Sequence, residues 1–232
     1  MSGRSRLAAL RLRYGQLSGG ELVAAMRAEF PGRLGVISSF GVESAVLLDL
    51  VAQIDTDLPV IFLDTGELFD ETHAYRQDLV RHLRLTNLRH VHPQPGDLAA
   101  ASDLWLSDPD RCCHLRKVAP LHDAVADFDA LIDGRKRFHG DDRLQLQTIE
   151  PGDKGVFKIS PLANWSEERL QEVFTSRGLP PHPLAAKGFR SVGCWPCSRV
   201  AVAGEGPRAG RWAGAAKTEC GIHRRHGEDA AE

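Results

Sequence analysis

The chain has 232 residues, 42% of them hydrophobic and 26% charged, enough for one substantial core and a small appended segment but not for two ordinary domains. Its 29 basic and 31 acidic side chains leave a formal charge of -2, which excludes the global basic field that drives binding to a nucleic acid polymer. No apolar run approaches the roughly 20 residues that cross a bilayer, and Arg4, Arg6, Arg11 and Arg13 interrupt any leader-like apolar region. The expectation is a cytoplasmic protein that engages neither a membrane nor a nucleic acid polymer.

Along the chain, Leu34 to Ser38 reads as a buried strand, a small-residue turn follows at Ser39, Phe40 and Gly41, and Val42 to Ile54 reads as a helix. The unit repeats: Pro59 to Leu63 is a second strand, Asp64-Thr65-Gly66 its turn, and Phe69 to Leu83 a helix with apolar residues at helical spacing. A third strand is expected at Leu88 to Val91 and a fourth at Ala130 to Asp133, with helical segments between them at Asp97 to Leu106 and Arg116 to Phe128. Val156 to Ile159 is a further strand, and either Asn164 or Ser166 caps a helix that begins beside Trp165. From Gly178 onward regularity fades.

Strands and helices alternating in this way predict an α/β fold, a parallel twisted sheet flanked by helices, with ligands at the carboxyl ends of the strands. The loops after Ser38, Leu63 and Asp133 are therefore candidate site loops. The first of them, Ser38 to Ser44, joins a strand to a helix, where free N–H groups and the helix dipole favour an anion. It is neither a Walker A loop nor a GxGxxG fingerprint, and its serines could equally serve as helix caps.

The five cysteines are an odd number with no secretory signal, a poor basis for a disulfide framework. Cys112-Cys113 and Cys194-Trp195-Pro196-Cys197 supply two thiol pairs, the count of a four-thiolate metal centre. An adjacent pair suits a single tetrahedral ion badly, whereas a larger cluster accepts each sulfur on a different iron. Buried structural cysteines or a redox-active CxxC are the competing readings. Cys220 is left over, in Lys217-Thr218-Glu219-Cys220-Gly221-Ile222-His223, close in sequence to Arg208, Arg211, Arg224 and Arg225. Such surroundings favour a nucleophilic thiolate. Further basic groups at Arg111, Arg116 and Lys117, and at Arg135, Lys136, Arg137 and Arg143, would suit phosphate or sulfate oxygens.

Taken together, SSFGVES at 38–44, LDTGELFDET at 63–72, the tandem cysteines followed by Lys117, GRKR at 134–137, GCWPC at 193–197 and KTECGIH at 217–223 resemble the phosphoadenylyl-sulfate and adenylyl-sulfate reductases. The likeness runs from about Leu34 to His223. It implies an adenine nucleotide hydrolase-like fold related to the ATP pyrophosphatases. Residues 1–190 would form a nucleotide-binding domain with a modified phosphate loop, and residues 191–232 a C-terminal arm.

The resemblance further implies a 4Fe-4S cluster on Cys112, Cys113, Cys194 and Cys197, the set typical of relatives that use adenylyl sulfate, with Lys117 between cluster and substrate. Cys220 would be the catalytic nucleophile, passing through an S-sulfocysteine that thioredoxin reduces. Ser38, Ser39, Phe40, Gly41 and Glu43 would line the phosphate loop, Leu63 and Thr65 the adenosine side, Arg208, Arg211 and His223 the phosphosulfate side, with Lys136 and Arg137 as further anion contacts. Where many relatives carry Arg-Asp-Gln-Ser, this chain has Arg137-Phe138-His139-Gly140. Rival expectations are a phosphoadenylyl-sulfate reductase and a non-enzymatic iron-sulfur or zinc nucleotide sensor; a tRNA thiolase of the same fold would need an SGGxDS-type loop, which is absent.

Overall fold

The computed structural model describes residues 3–208, 210–212, 217 and 219–222. Its centre is a six-stranded sheet in which β1 (Leu34–Ser38), β2 (Val60–Leu63), β3 (Leu88–Val91), β4 (Ala130–Ile132), β5 (Ile149–Pro151) and β6 (Phe157–Ile159) take the order β3-β2-β1-β4-β6-β5. Strands β1, β2 and β4 are mostly Val, Ile, Leu and Phe with Gly35, Ser38 and Ala130 among them, and are buried almost throughout, as expected where helices cover both faces of a parallel sheet. The registers Val36↔Val60 and Leu34↔Ala130 put β1 between β2 and β4. The chain winds outward from β1 to β3, then returns to the other side of β1 at β4. That reversal opens a crevice at the carboxyl ends of β1 and β4, the usual place for a ligand in such a sheet.

Helices α1 (Gly3–Tyr14), α2 (Gly19–Glu29), α3 (Ser44–Ala52), α4 (Asp70–Leu83) and α9 (Glu167–Ser176) surround the sheet, and short pieces α5 (Pro95–Ala100), α6 (Leu104–Ser107), α7 (Pro109–Cys113) and α8 (Ala119–Ala124) fill the stretch between β3 and β4. The main core joins α2, α3 and the inner strands through Leu22, Met26, Phe30, Leu48 and Phe62, among others. Among the described residues no helix is long and apolar enough to cross a membrane.

Four features depart from the sequence expectations. Helices α1 and α2 precede the first strand; α1 buries only Leu10 and is tied down by the Arg11 Nε bond to the Ile149 carbonyl and by Arg6 over Phe30 and Phe157, so it carries little apolar periodicity. The expected helix at 97–106 is broken in two at Asp103, which has a left-handed φ of 57°. The expected helix at 116–128 begins earlier, at Pro109 with Asp108 accepting from the Arg111 N–H, passes through a π turn at His114–Val118, and ends at Ala124. The sheet is also not wholly parallel, because the edge strand β5 runs antiparallel to β6. Ser166 rather than Asn164 caps α9, its hydroxyl accepting from the Arg169 N–H.

Candidate active site

One cavity of about 220 Å³ lies at the carboxyl ends of β1, β2 and β4. It is lined by Ser38, Ser39, Gly41 and Glu43 after β1, Leu63 and Thr65 after β2, Lys117 from the π turn, Asp133, Arg135 and Lys136 after β4, then His139 and Arg143, Cys194, Arg208, Arg211 and Trp212, and Glu219 and Cys220. The three loops that the strand pattern marked thus converge on one chamber, and Cys220 is part of its lining. Arg137 and Phe40 stand apart from this lining. The Arg137 Nε donates to the Leu146 carbonyl at 2.6 Å. The Phe40 ring is buried edge-on against Phe62, 5.4 Å between centroids, so its part in the loop is structural. His223 falls outside the described residues.

The phosphate-type loop is shaped by its own backbone. Phe40 is held at φ 49°, a conformation unfavourable for a side chain with a Cβ, and its N–H donates to the Ser38 hydroxyl at 3.2 Å. Ser44 donates to the Gly41 carbonyl at 2.6 Å; neither serine caps α3. A Cβ at Gly41 would sit 3.3 Å from the Val192 carbonyl, so glycine admits the 190–193 segment to the cavity wall.

Glu43 precedes α3 but turns away from its N-terminus. Its carboxylate accepts from Lys136 Nζ at 2.5 Å and from His139 Nε2 at 2.9 Å. Burial raises its pKa, but Lys136 and His139 outweigh that and bring it down to about 2. Burial holds His139 below the usual histidine value. A neutral ring with its proton on Nε2 then donates to Glu43 and accepts at Nδ1 from Arg143 Nη1, 2.9 Å away; this tautomer follows from the partners. Arg143 in turn pairs with Glu219 through Nε and through Nη2, the latter at 3.1 Å, and Arg208 Nη2 lies 3.4 Å from the same carboxylate. A continuous polar chain therefore runs from the loop after β1 to the residue before Cys220.

Of the cysteines, Cys194 and Cys220 line the cavity, and Cys112, Cys113 and Cys197 lie outside its lining. Cys112 and Cys113 end α7, while Cys194 is bridged to Leu68 and the Trp195 N–H donates to the Glu67 carbonyl at 2.7 Å. All five cysteines are free. Burial pushes the Cys112 and Cys113 thiols up and Cys197 up to about 11. At Cys194 burial acts the same way, but Lys117, the Thr65 hydroxyl 3.2 Å away and Arg211 outweigh it and bring the thiol below its ordinary value. Burial disfavours the Lys117 ammonium, yet the sulfurs of Cys194, Cys220 and Cys113 outweigh it and raise its pKa. Among the described residues no three His, Cys, Asp or Glu side chains converge in a single-ion geometry, whereas sulfurs bound to separate irons of a cluster stand farther apart than the ligands of one ion. The segment at 210–212 packs on the CWPC loop: Ser198 bridges Arg211, the Trp212 N–H donates to the Cys197 carbonyl at 3.1 Å, and Arg211 lies over the Trp212 ring.

His139, Arg190 and Glu219 line the cavity without having been singled out as site residues from sequence, whereas Arg135 stood in the basic run marked for anions. Glu219 did carry a signal, adjacency to Cys220 inside a quoted motif. His139 carried none, since its stretch departs from the pattern of many relatives.

A mostly parallel sheet with an anion-type loop, basic walls and a cysteine near the topological switch defines an α/β protein whose cavity suits an anionic nucleotide. The chain belongs to the phosphoadenosine phosphosulfate reductase domain family, which it matches over residues 33–200. It is 44% identical to the adenosine 5'-phosphosulfate reductase of Chelativorans sp. (strain BNC1), over 91% of this chain and 88% of that one. The crystal structure of a phosphoadenylyl-sulfate reductase from Candida auris, a phosphate complex, superposes with a TM-score of 0.71 at 25% identity, over 84% of this chain and 96% of that one. The FMN adenylyltransferase of Candida glabrata shares the fold alone, at 16% identity and a TM-score of 0.56 over 83% of this chain and 66% of that one.

Proposed function

We propose that this chain is a cytoplasmic adenylyl-sulfate reductase in which Cys220 is the nucleophile and thioredoxin the electron donor, serving sulfate assimilation and cysteine biosynthesis. The observation that carries the reading is that the loop after β1, Lys117, Arg208, Arg211 and Cys220 line one cavity. Relatives named adenosine 5'-phosphosulfate reductase, among them those at 44% and 43% identity, support it.

In this reading the Cys220 thiolate attacks the sulfur of adenylyl sulfate and the bond from sulfur to the phosphate oxygen breaks, so AMP leaves with that electron pair and an S-sulfocysteine remains. Lys117, Arg208 and Arg211 stabilise charge as it moves onto the phosphate. A thiolate of the donor then attacks the Cys220 sulfur and displaces sulfite. The donor's second thiol resolves the mixed disulfide, returning Cys220 reduced and leaving the donor oxidised. Cys112, Cys113, Cys194 and Cys197 fit a 4Fe-4S cluster: four free thiols, three of them buried, on the two segments that flank Lys117. Bound there, the cluster supplies electrostatic and structural support beside the sulfate end of the site.

Anaerobically purified protein, checked for iron and sulfide, is assayed for sulfite with thioredoxin, using adenylyl sulfate and its 3'-phosphorylated form in parallel. Preference for adenylyl sulfate is expected; preference for the phosphorylated compound reassigns the substrate, and sulfite from neither favours a nucleotide sensor. The Cys220→Ser variant is expected to form no S-sulfo adduct by mass spectrometry.

A further inference from the structure

A carboxylate next to a nucleophile that must approach an anionic sulfate is electrostatically adverse unless something neutralises it. Glu219 is in that position, and its side chain is 7% exposed. Arg143, 9% exposed, clamps both of its oxygens, and Arg208 reaches the same group. Burial opposes the charge of Glu219, but the hydrogen bonds and charge of Arg143, with Arg208 behind it, outweigh burial and keep its pKa below the ordinary carboxylate value.

Lys217, two residues earlier, forms an ion pair with Asp110 at the start of α7 and donates to the Pro109 carbonyl at 3.3 Å. Ile222, two residues after Cys220, packs on the small apolar cluster of Ile61, Leu63 and Leu131. The Cys220 segment is therefore held at three points, and Glu219 is the one bonded directly to the nucleophilic residue. A two-pronged contact from a planar guanidinium fixes direction as well as distance.

We infer that Glu219 is a positioning residue, anchoring the arm to Arg143 and Arg208 so that the Cys220 thiol is seated in the cavity. The inference rests on the reductase reading for its consequence, but the anchoring can be measured without it. Because Arg143 also bonds His139, and His139 bonds Glu43, the anchor is joined to the loop that would hold the nucleotide phosphate.

Wild-type protein, Glu219→Gln and Glu219→Asp are compared as anaerobically purified enzymes. The first readout is the rate of Cys220 alkylation by iodoacetamide without substrate, followed by peptide mapping. Releasing the anchor in Glu219→Gln is expected to raise that rate roughly tenfold, the loss of a charged hydrogen bond. The second is adduct formation on Cys220 in a single turnover with saturating adenylyl sulfate and no reductant. It is expected to fall about 10²-fold in Glu219→Gln, the effect of a misplaced reacting group, while KM stays within about threefold and Glu219→Asp, which keeps the charge, recovers most of the rate. An unchanged adduct rate with a lower KM would mean that Glu219 merely competes with substrate for the arginines, and would overturn the inference. So would an Asp variant as slow as Gln with an equal loss of thermal stability, which marks a general structural role. If even the wild type forms no adduct, the reductase reading fails; alkylation still decides the anchor, an increase supporting it and no change overturning it.

Discussion

Two sets of buried arginines stand at the carboxyl end of this sheet, and they are built differently. Arg135 takes its partners from the sheet itself: Asp133 after β4, Glu150 in β5 and Ser160 after β6, at 2.9, 3.2 and 3.3 Å. Arg143 takes its carboxylate from Glu219, 76 residues away in the arm. The first set is made by strands that must lie side by side for other reasons. The second exists only when the segment at 219–222 is in place, so buried charge near the cavity divides into a part made within the sheet and a part made with a distant segment.

Breaking the first set should cost the most stability. Arg135→Met leaves the buried Asp133 and the partly buried Glu150 without their guanidinium partner, a loss of about 3–5 kcal/mol, read by urea unfolding; a loss under about 1 kcal/mol would erase the distinction between the two sets. Glu43 lies between them. With its pKa lowered to about 2 by Lys136 and His139 against the opposing effect of burial, its charged form contributes stability that is fully present above pH 4.5 and disappears as pH falls through about 2. The stability gap between wild type and Glu43→Gln should accordingly be about 3 kcal/mol at pH 7, an order-of-magnitude figure, and should close across that acid window. The smallest effect is expected at Lys187, paired with Glu71 at 2.7 Å on the surface: Lys187→Ala should change stability by less than about 1 kcal/mol, which checks that burial, not ion pairing as such, separates the cases.

The contrast also explains what could be read from sequence. The strands at 34–38 and 60–63 are short, largely apolar runs followed by turn residues, the strand at 88–91 is closed by Pro93 and Pro95, and the loops after Ser38, Leu63 and Asp133 do converge, because strand direction and crossover handedness leave the carboxyl ends nowhere else to meet. Helix α1 was not legible, since arginines stacked on aromatic rings hold it and leave little apolar stripe. Arg137 and Lys136 are adjacent in a basic run, yet one meets the Leu146 carbonyl and the other Glu43; sequence shows that the run is basic, but not which way each side chain turns. The pairing of Glu219 with Arg143 depends on where the arm lies, for which no local pattern exists.

The π turn at His114–Val118 has a separate consequence. Such a turn amounts to one residue too many for an ordinary helix, placed between Cys112-Cys113 and the segment that follows Lys117. Each residue of an α-helix advances the next by about 100°, so deleting one residue there would regularise the hydrogen bonding while rotating the two sides of the turn against each other. The stretch from 109 to 124 is thus a phase-setting device. Substitutions within it that spare Cys112, Cys113, Arg116 and Lys117 should be far better tolerated than any change in its length.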